Sequence, residues 1–337
     1  MKHQGAGTLV AALGLLLVAC DGGQGSGGGG LGGSSGGGGA PLDLCVNSDC
    51  GEKTVLLDLP SAENLIFSPE GRLFVSAGLG VFEIKRDAAG AYSATPIAPD
   101  CGSGLGLAVR QNRLYAICSG QRLFAGELSA TPVLTEIFTL SGMCISNGMA
   151  LGADGNLYVV DEPLSFCVPD PKIVRLKLDP ANPMRVLSQE TWVQGSALGQ
   201  LHLGLNNVLR FPNGLQSEGT RFFGTDGGSL YSVDLQPDGS AGPVMPIHFE
   251  VAVRDDLGIA GDNLLVTDFA TGRIQLISKQ GEMRQTTQRG LFSFPSSVRL
   301  GRPPMFEPDD ILVTETGVLT DNTLTLDRLS LFRRKAQ

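Results

Sequence analysis

The chain contains 337 residues, with 25 Lys and Arg against 34 Asp and Glu, so its formal net charge is −9. An acidic chain without runs of basic residues lacks the composition typical of nucleic-acid-binding proteins. We therefore expect no nucleic-acid partner.

The first residues predict export. Lys2 and His3 precede an uncharged stretch at 9–19, which is too short to span a bilayer but has the length of a signal-peptide core. It ends in Leu-Val-Ala-Cys at Cys20, which resembles the lipobox of bacterial lipoproteins, in which the cysteine is lipidated. We predict a signal peptide over 1–19 and lipidation at Cys20. The alternative is an ordinary secretory signal with a chance cysteine.

Residues 20–40 read as the lipidated cysteine followed by a tether, because they are nearly all glycine and serine and such chains are flexible coils. The remaining residues, 41–337, are predicted to form a single domain. The protein is then a lipoprotein of the bacterial cell envelope, periplasmic or cell-surface, that meets the membrane only through its lipid.

Six cysteines remain after Cys20, an even number that favours disulfides in an exported protein. Two are close neighbours in sequence, and the other four bracket two consecutive repeat units. The predicted pairs are Cys45–Cys50, Cys101–Cys118 and Cys144–Cys167. Free buried thiols are the alternative.

Short strands and turns repeat from about residue 54 onward. The segment that begins at Glu63 aligns without a gap with the segment that begins at Asn147: each has an apolar strand, a turn ending in glycine, then Leu-aromatic-Val. Successive starts are 42, 42, 66, 43 and 40 residues apart, and a period of roughly 40–45 is typical of a four-stranded propeller blade. The six predicted starts are Glu63, Leu105, Asn147, Asn213, Asp256 and Ser296. The long spacing predicts an insertion around 179–207.

Six such units predict an all-β fold, a six-bladed β-propeller with four antiparallel strands per blade. An open β-solenoid or a two-domain sandwich would not explain a period that ends after six copies. We expect residues 54–60 to pair with the last blade, because this closes the ring and removes two exposed sheet edges.

The unit starts are where chemistry is expected. The first strand of each blade lines the channel, so the six starts meet near the axis, and four of them carry a side-chain oxygen: Glu63, Asn147, Asn213 and Asp256. Carboxylate and amide oxygens suit calcium, whereas zinc or copper would require His or Cys. The alternative is that Asn-Gly and Asp-Asp are merely turn residues.

The sequences Ser-Asn-Gly at 146–148, Pro-Asn-Gly at 212–214 and Asp-Leu-Gly from Asp256 resemble the gluconolactonase/senescence-marker-protein/regucalcin family. Paraoxonases and strictosidine-synthase-like proteins are more distant relatives. In that family a propeller holds a divalent cation through a Glu, two Asn and an Asp. The resemblance assigns these roles to Glu63, Asn147, Asn213 and Asp256. It also implies that the cation binds the lactone or ester oxygen and that Asp256 acts as general base.

Two departures bear on the substrate. Sugar-lactone members carry an Arg two residues before the first Asn, where this chain has Ile145, so a less polar substrate is expected. Glu162 falls where a family acidic substrate contact could lie, and His202 lies in the insertion, where it is either a substrate contact or a plain loop residue.

Together these features predict a monomeric, calcium-dependent hydrolase of a small-molecule lactone or other ester, with Asp256 as its catalytic residue. One alternative is a binding propeller in which the ion is only structural. Another is a propeller without an ion, since Leu105 and Ser296 show that not every unit contributes a ligand.

Overall fold

The computed structural model describes residues 44–162, 171–195, 212–316 and 327–335. Within these ranges the chain forms 24 strands in six four-stranded antiparallel sheets. Sheets of four strands in ring order confirm the predicted six-bladed β-propeller. In the part of the chain that is described, no helix has the length and apolar character needed to cross a bilayer.

Each blade runs from an inner strand at the channel to an outer strand at the rim. Blade 1 consists of β2 (Leu65–Phe67), β3 (Leu73–Ala77), β4 (Gly80–Arg86) and β5 (Tyr92–Pro96). Blade 2 consists of β6 (Gly104–Arg110), β7 (Arg113–Cys118), β8 (Arg122–Glu127) and β9 (Thr135–Thr139). Blade 3 consists of β10 (Ile145–Leu151), β11 (Leu157–Glu162), β12 (Lys172–Leu178) and β13 (Val186–Val193).

The second half of the ring repeats this order. Blade 4 consists of β14 (Pro212–Glu218), β15 (Arg221–Asp226), β16 (Ser229–Asp234) and β17 (Met245–Phe249). Blade 5 consists of β18 (Arg254–Ala260), β19 (Asn263–Asp268), β20 (Arg273–Ser278) and β21 (Met283–Thr286). Blade 6 consists of β22 (Pro295–Leu300), β23 (Ile311–Thr316), β24 (Asp327–Arg334) and, as its outer strand, β1 (Gly51–Asp58).

The N-terminal strand closes the ring, as predicted. Strand β1 pairs antiparallel with β24, with Gly51 opposite Arg334 and Asp58 opposite Arg328. Strand β1 precedes blade 1 in the chain but belongs to the sheet of blade 6, so it links the first and last blades of the ring. The Asp58 end of β1 leads directly into Glu63, so this end lies at the channel mouth and the Gly51 end at the opposite face.

The hydrophobic core is divided among the six junctions between blades. Each junction buries its own cluster; that between blades 3 and 4, for example, contains Tyr158 and Trp192 from one blade and Phe222 from the other. The rings of Tyr158 and Phe222 have centroids 4.5 Å apart. Because every blade is apolar on both faces, no blade can bury its surface without two neighbours, and the ring folds as one unit.

The predicted insertion at 179–207 is only partly an insertion. Residues Val186–Val193 form β13, the outer strand of blade 3, paired with β12. The sequence repeat covers only the two inner strands of each blade, so the spacing alone does not distinguish β13, an ordinary fourth strand, from an insertion. The remaining additional length lies between β11 and β12 and between β13 and β14.

Two of the predicted disulfides are present, Cys45–Cys50 and Cys101–Cys118. Cys144 is also disulfide-bonded, and its predicted partner Cys167 lies outside the described residues. Cys101–Cys118 ties the segment before β6 to the end of β7, with Cα atoms 4.9 Å apart. The predicted signal peptide over 1–19, Cys20, the tether and His202 lie outside the described residues too.

Candidate metal centre

The inner strands approach each other closely at the unit starts, and glycine makes this possible. A Cβ on Gly148 would lie 2.1 Å from the carbonyl oxygen of Asn213, and one on Gly106 would lie 2.0 Å from that of Asn147. No side chain larger than hydrogen fits such gaps. The Asn-Gly sequences therefore reflect contact between adjacent blades rather than turn geometry, and they bring the flanking side chains together around the axis.

Hydroxyl groups on second strands hold the unit starts in place. Ser76 Oγ donates to the carbonyl of Leu105 at 2.6 Å, and Thr314 Oγ1 donates to that of Glu63 at 2.6 Å. Thr225 Oγ1 donates to the carbonyl of Asp255 at 2.6 Å. In each case a hydroxyl of one blade bonds the carbonyl of the unit start in the next blade, so the neighbouring blade holds the backbone at these positions.

This pattern corrects the alignment of the fifth blade by one residue. Asp255, not Asp256, receives the hydroxyl bond made to Leu105 and Glu63 in other blades. Strand register agrees: Arg254 faces Asp268 as Pro212 faces Asp226, so Asp255 corresponds to Asn213. Asp256 occupies the position of Gly148 and Gly214. Matching Leu257 to Met149 and Leu215 would have revealed this offset from sequence, because the apolar residue follows the unit start by two positions in all three.

Glu162 orients the first amide. Asn147 Nδ2 donates to Glu162 Oε2 at 3.1 Å, which leaves Asn147 Oδ1 buried without a hydrogen-bond partner. Asn147 also hydrogen-bonds the carboxyl of Glu63. The predicted residue Glu162 thus lies in the same cluster as Glu63 and Asn147, at the end of β11, where it supports the Asn147 amide.

The second amide, that of Asn213, pairs with the carboxyl group of Asp255. Asn213 hydrogen-bonds Asp255, and each keeps its Oδ1 buried without a partner. Asp255 is 8% exposed and Asn147 is 4% exposed. A buried oxygen without a hydrogen-bond partner calls for an explanation, such as a bound ion or water molecule. Three of them at equivalent positions of adjacent blades fit a hard cation, which binds carboxylate and amide oxygens.

Carboxylates alone do not make this site. Among the described residues, no three His, Cys, Asp or Glu side chains lie close enough together to hold a metal ion by themselves. The donor set that fits an ion is therefore mixed, with Glu63 and Asp255 as carboxylates and Asn147 and Asn213 as amides. Calcium accepts such a set because its coordination number and geometry are loose.

Comparison with known proteins identifies the fold. No family model matches the sequence, and neither does any curated protein. Among solved structures, a luciferin-regenerating enzyme matches with TM-score 0.62 and 16% identity over 85% of this chain and 95% of that one. Regucalcin from Agrobacterium tumefaciens, described as a calcium-binding protein, matches with TM-score 0.60 and 15% identity over 82% and 92%. A protein provisionally assigned as a gluconolactonase matches with TM-score 0.60 and 16% identity over 87% and 94%.

The chain has the regucalcin and gluconolactonase type of propeller fold. At these identities the likeness establishes architecture alone, because propellers support many unrelated activities.

Asp256 stands where blades 2, 3 and 4 have Gly106, Gly148 and Gly214, and it has its own partners. Its Oδ2 accepts from Ser297 Oγ at 2.6 Å and forms an ion pair with Arg299 Nη2 at 2.9 Å. Arg299 Nη1 also donates to the carbonyls of Leu257 and Val298, both at 2.7 Å. Asp256 is therefore bonded towards blade 6, and this ion pair was not predicted from the sequence.

Arg254 fixes the segment that carries Asp255. It is 1% exposed, and its guanidinium donates to the carbonyl of Gly228 at 3.0 Å and to Gln275 Oε1 at 2.7 Å. It also pairs with Glu250 at 3.3 Å. A fully bonded buried arginine is rigid, so the residue immediately before Asp255 cannot move without breaking several charge-assisted bonds.

Burial and mutual repulsion hold protons on these carboxyls in the absence of a cation. Burial, reinforced by Glu162 and Asp256, raises the pKa of Glu63 to about 8. Burial also raises the pKa of Glu162 to about 6, against the opposing hydrogen bond from Asn147. The pKa of Asp255 lies well above its usual value for the same reason, with Glu63 and Glu162 adding to the effect of burial. The site therefore binds protons until a cation replaces them.

The stability of the cation-free protein is expected to fall as pH rises from about 5 to 8. The folded protein keeps protons that the unfolded chain releases above about pH 4.5, and binding more protons when folded makes stability decrease with pH. Calcium should reverse the loss and raise the melting temperature more at pH 8 than at pH 5.5. Melting curves in chelator and in calcium across this range measure both effects.

The matched control for this pH effect is Glu63→Gln, which removes the carboxyl whose pKa is raised to about 8 and should reduce the dependence of the melting temperature on pH in chelator. Acidic groups whose pKa values are lowered, such as Asp234, titrate below this range and do not contribute. If the melting temperature measured in chelator stayed constant from pH 5 to 8, the raised carboxyl pKa values at this site would be contradicted.

Proposed function

We propose that this protein is a divalent-cation-dependent hydrolase of a lactone or another ester, with calcium as the ion. The observation that carries the proposal is the set of unpartnered buried oxygens of Asn147, Asn213 and Asp255 beside Glu63 at the channel mouth. These residues would hold the cation. The likeness in fold to regucalcin and to a protein provisionally assigned as a gluconolactonase supports the reaction class.

A divalent cation at this position would supply Lewis-acid polarisation of the ester carbonyl. The protein's own residues supply the remainder. The Asn147 amide is oriented by Glu162, so its oxygen faces the site. Asp255 and Asp256 each present one carboxylate oxygen without a hydrogen-bond partner, but only Asp255 stands at the unit start that Asn147 and Asn213 occupy in blades 3 and 4. It is therefore the group proposed to orient a water molecule and accept its proton. We therefore assign to Asp255 the catalytic role that the sequence alignment assigned to Asp256.

The substrate is proposed to be less polar than a sugar lactone. Ile145, partly exposed at the start of β10, faces Glu162 across the strand pair. An isoleucine side chain offers no hydrogen bond to a sugar hydroxyl, and it favours apolar surface at the same place.

The test is a panel of lactones and alkyl and aryl esters, assayed after treatment with chelator and again after calcium is restored. The proposal expects hydrolysis of at least one member, lost in chelator and regained with calcium. Calcium binding without hydrolysis of any member would favour a binding propeller with a structural ion. Hydrolysis unaffected by chelator would rule out the cation-dependent reaction.

We further propose that the protein is a lipoprotein with the channel mouth turned away from the membrane. The chain enters the fold at the face opposite the mouth, where Lys335 N donates to the carbonyl of Cys50 at 2.9 Å and Leu44 packs beneath blades 5 and 6. A tether joined at this face leaves the mouth open to small molecules. Labelling intact cells and testing for a lipid on Cys20 would examine both parts.

A further inference from the structure

A cavity of about 480 Å³ opens between blades 5 and 6 on the face that carries the channel mouth. The loop between β19 and β20 forms one wall and the loop between β21 and β22 forms the other, with β1 and β24 behind them. Its volume falls in the range of about 300–1,000 Å³ that is usual for small-molecule pockets. None of the residues assigned to the metal centre lines it.

The cavity is nevertheless connected to the metal centre by backbone hydrogen bonds. On one side, Phe269 N donates to the carbonyl of Val253 at 2.8 Å, two residues before Asp255. On the other side, Thr316 N donates to the carbonyl of Phe294 at 3.0 Å, and Thr316 also hydrogen-bonds the carboxyl of Glu63. Both walls are thus attached by hydrogen bonds to segments that carry proposed ligands.

The lining favours a flat apolar group. The rings of Phe269 and Phe294 are half-buried, with centroids 5.1 Å apart and planes inclined by 57°. The ring of Phe292 lies behind them, and the Lys53 ammonium sits 4.9 Å from its centroid. Lys53 also pairs with the buried carboxylate of Glu315 at 2.7 Å, so its charge is already compensated. Arg328 also lines the cavity on the side of β24. The three aromatic rings make up the apolar part of the lining and suit a flat apolar group.

Phe294 is held in an unusual conformation at the cavity wall. Its φ of 51° lies in the left-handed region, which bulky residues rarely adopt. It also precedes Pro295, and residues before proline prefer extended backbone. Strained backbone of this kind persists where surrounding structure enforces it and is concentrated at ligand sites. The strain places the Phe294 ring against Phe269.

We infer that this cavity is a substrate subsite for a ring-sized apolar group, so that the protein acts on esters or lactones bearing an aryl or similarly flat substituent. The inference rests on the proposed hydrolase function for its kinetic test, but binding to the cavity can be measured without turnover. The cavity would select substrates, while Asp255 and the ion would carry out hydrolysis.

The experiment compares γ-phenyl-γ-butyrolactone with γ-butyrolactone as matched substrates in calcium. The wild type is expected to prefer the phenyl lactone by roughly 10-fold or more in kcat/KM, as a pocket that accepts a large apolar group does. Phe294→Gly removes the ring and also suits the left-handed backbone, so it should fold and bring the ratio to within about threefold of unity. Phe269→Ala should reduce the ratio in the same direction.

Phe138→Ala serves as the matched control, because Phe138 is a half-buried phenylalanine on β9 of blade 2, far from the cavity. It should keep the wild-type ratio. Binding of benzyl alcohol, followed by ligand-observed NMR, provides a readout that needs no catalysis, and it should be lost in Phe294→Gly.

The outcomes separate the two proposals. Lactone hydrolysis with no phenyl preference, or with a preference that Phe294→Gly leaves unchanged, would overturn the subsite while the hydrolase function stands. Benzyl alcohol binding that requires Phe294, without hydrolysis of any lactone, would support the subsite and count against the hydrolase function. Absence of both would overturn the subsite.

Discussion

Asp255→Asn is expected to abolish divalent-cation binding and ester hydrolysis, whereas Asp256→Asn should leave both measurable. Asp255 has an unpartnered buried oxygen, hydrogen-bonds Asn213 and lies among Glu63 and Glu162. Asp256 also has one unpartnered buried oxygen, Oδ1, but it stands one position after the unit start and its Oδ2 is bonded to Ser297 and Arg299. Changing a residue that only supports a metal ligand usually lowers metal affinity by about 10–100-fold. Asp255→Asn should therefore lower calcium affinity by more than about 100-fold, and Asp256→Asn by about 10-fold.

Calorimetric titration with calcium and the ester panel measure these two variants. A melting curve in chelator serves as the folding control: Asp255→Asn removes one of several repelling buried carboxyls, so the cation-free variant should melt no lower than the wild type. If Asp256→Asn lost calcium binding while Asp255→Asn kept it, the sequence alignment would have been right and the register assignment wrong.

Arg299→Met is expected to destabilise the protein by about 3–5 kcal/mol, the usual cost of removing one partner from a buried ion pair. The Arg299 and Asp256 side chains are 12% and 2% exposed, so the remaining Asp256 carboxylate would be left in a poorly solvated site beside other acids. Two backbone carbonyls, of Leu257 and Val298, would also lose their donor. Urea unfolding in chelator measures the loss of free energy.

The double variant Asp256→Gly/Arg299→Met tests the cause. Glycine is the residue at the same register in blades 3 and 4, at Gly148 and Gly214, so removing the carboxylate together with its partner should recover much of the stability. As a comparison, Arg221→Met breaks an exposed pair with Asp234, whose side chains are 54% and 43% exposed, and should cost less than about 1 kcal/mol. Equal losses for Arg299→Met and Arg221→Met would contradict the interpretation.

The architecture could be predicted because the blade pattern is local and is repeated six times. An apolar strand, a turn and a second strand recur at a nearly constant interval, the second strand containing Leu-aromatic-Val in blades 1 and 3 and Val-Thr-Asp or Val-Thr-Glu in blades 5 and 6. Ring closure by β1 follows from the need to cover sheet edges. The outer strand β13 was missed because the outer strands are half-exposed and carry a weaker alternation, as in the pattern of Val186–Val193.

The site was predicted in its composition but not in its register. Strand register keeps Asn147 and Asn213 as unit starts and moves the fifth start from Asp256 to Asp255. The role of these residues and of Glu63 as metal ligands stays a prediction. A one-residue shift in a strand turns every side chain to the other face. In the Asp255-Asp256 pair, both residues satisfy the chemical expectation, so composition cannot choose between them. The Thr225 hydroxyl bond from the preceding blade does choose.

By itself, the sequence determined the all-β repeat, the number of blades, the strand that closes them and the oxygen-rich character of the channel mouth, since each depends on residue type and spacing along one stretch of chain. Only the tertiary structure decided that Asp255 stands at the fifth unit start, that Asp256 pairs with Arg299, and that Phe269 and Phe294 line a cavity between blades 5 and 6. These features depend on contacts between blades that are distant in sequence, and no local pattern encodes the distance between side chains that meet only when the ring closes.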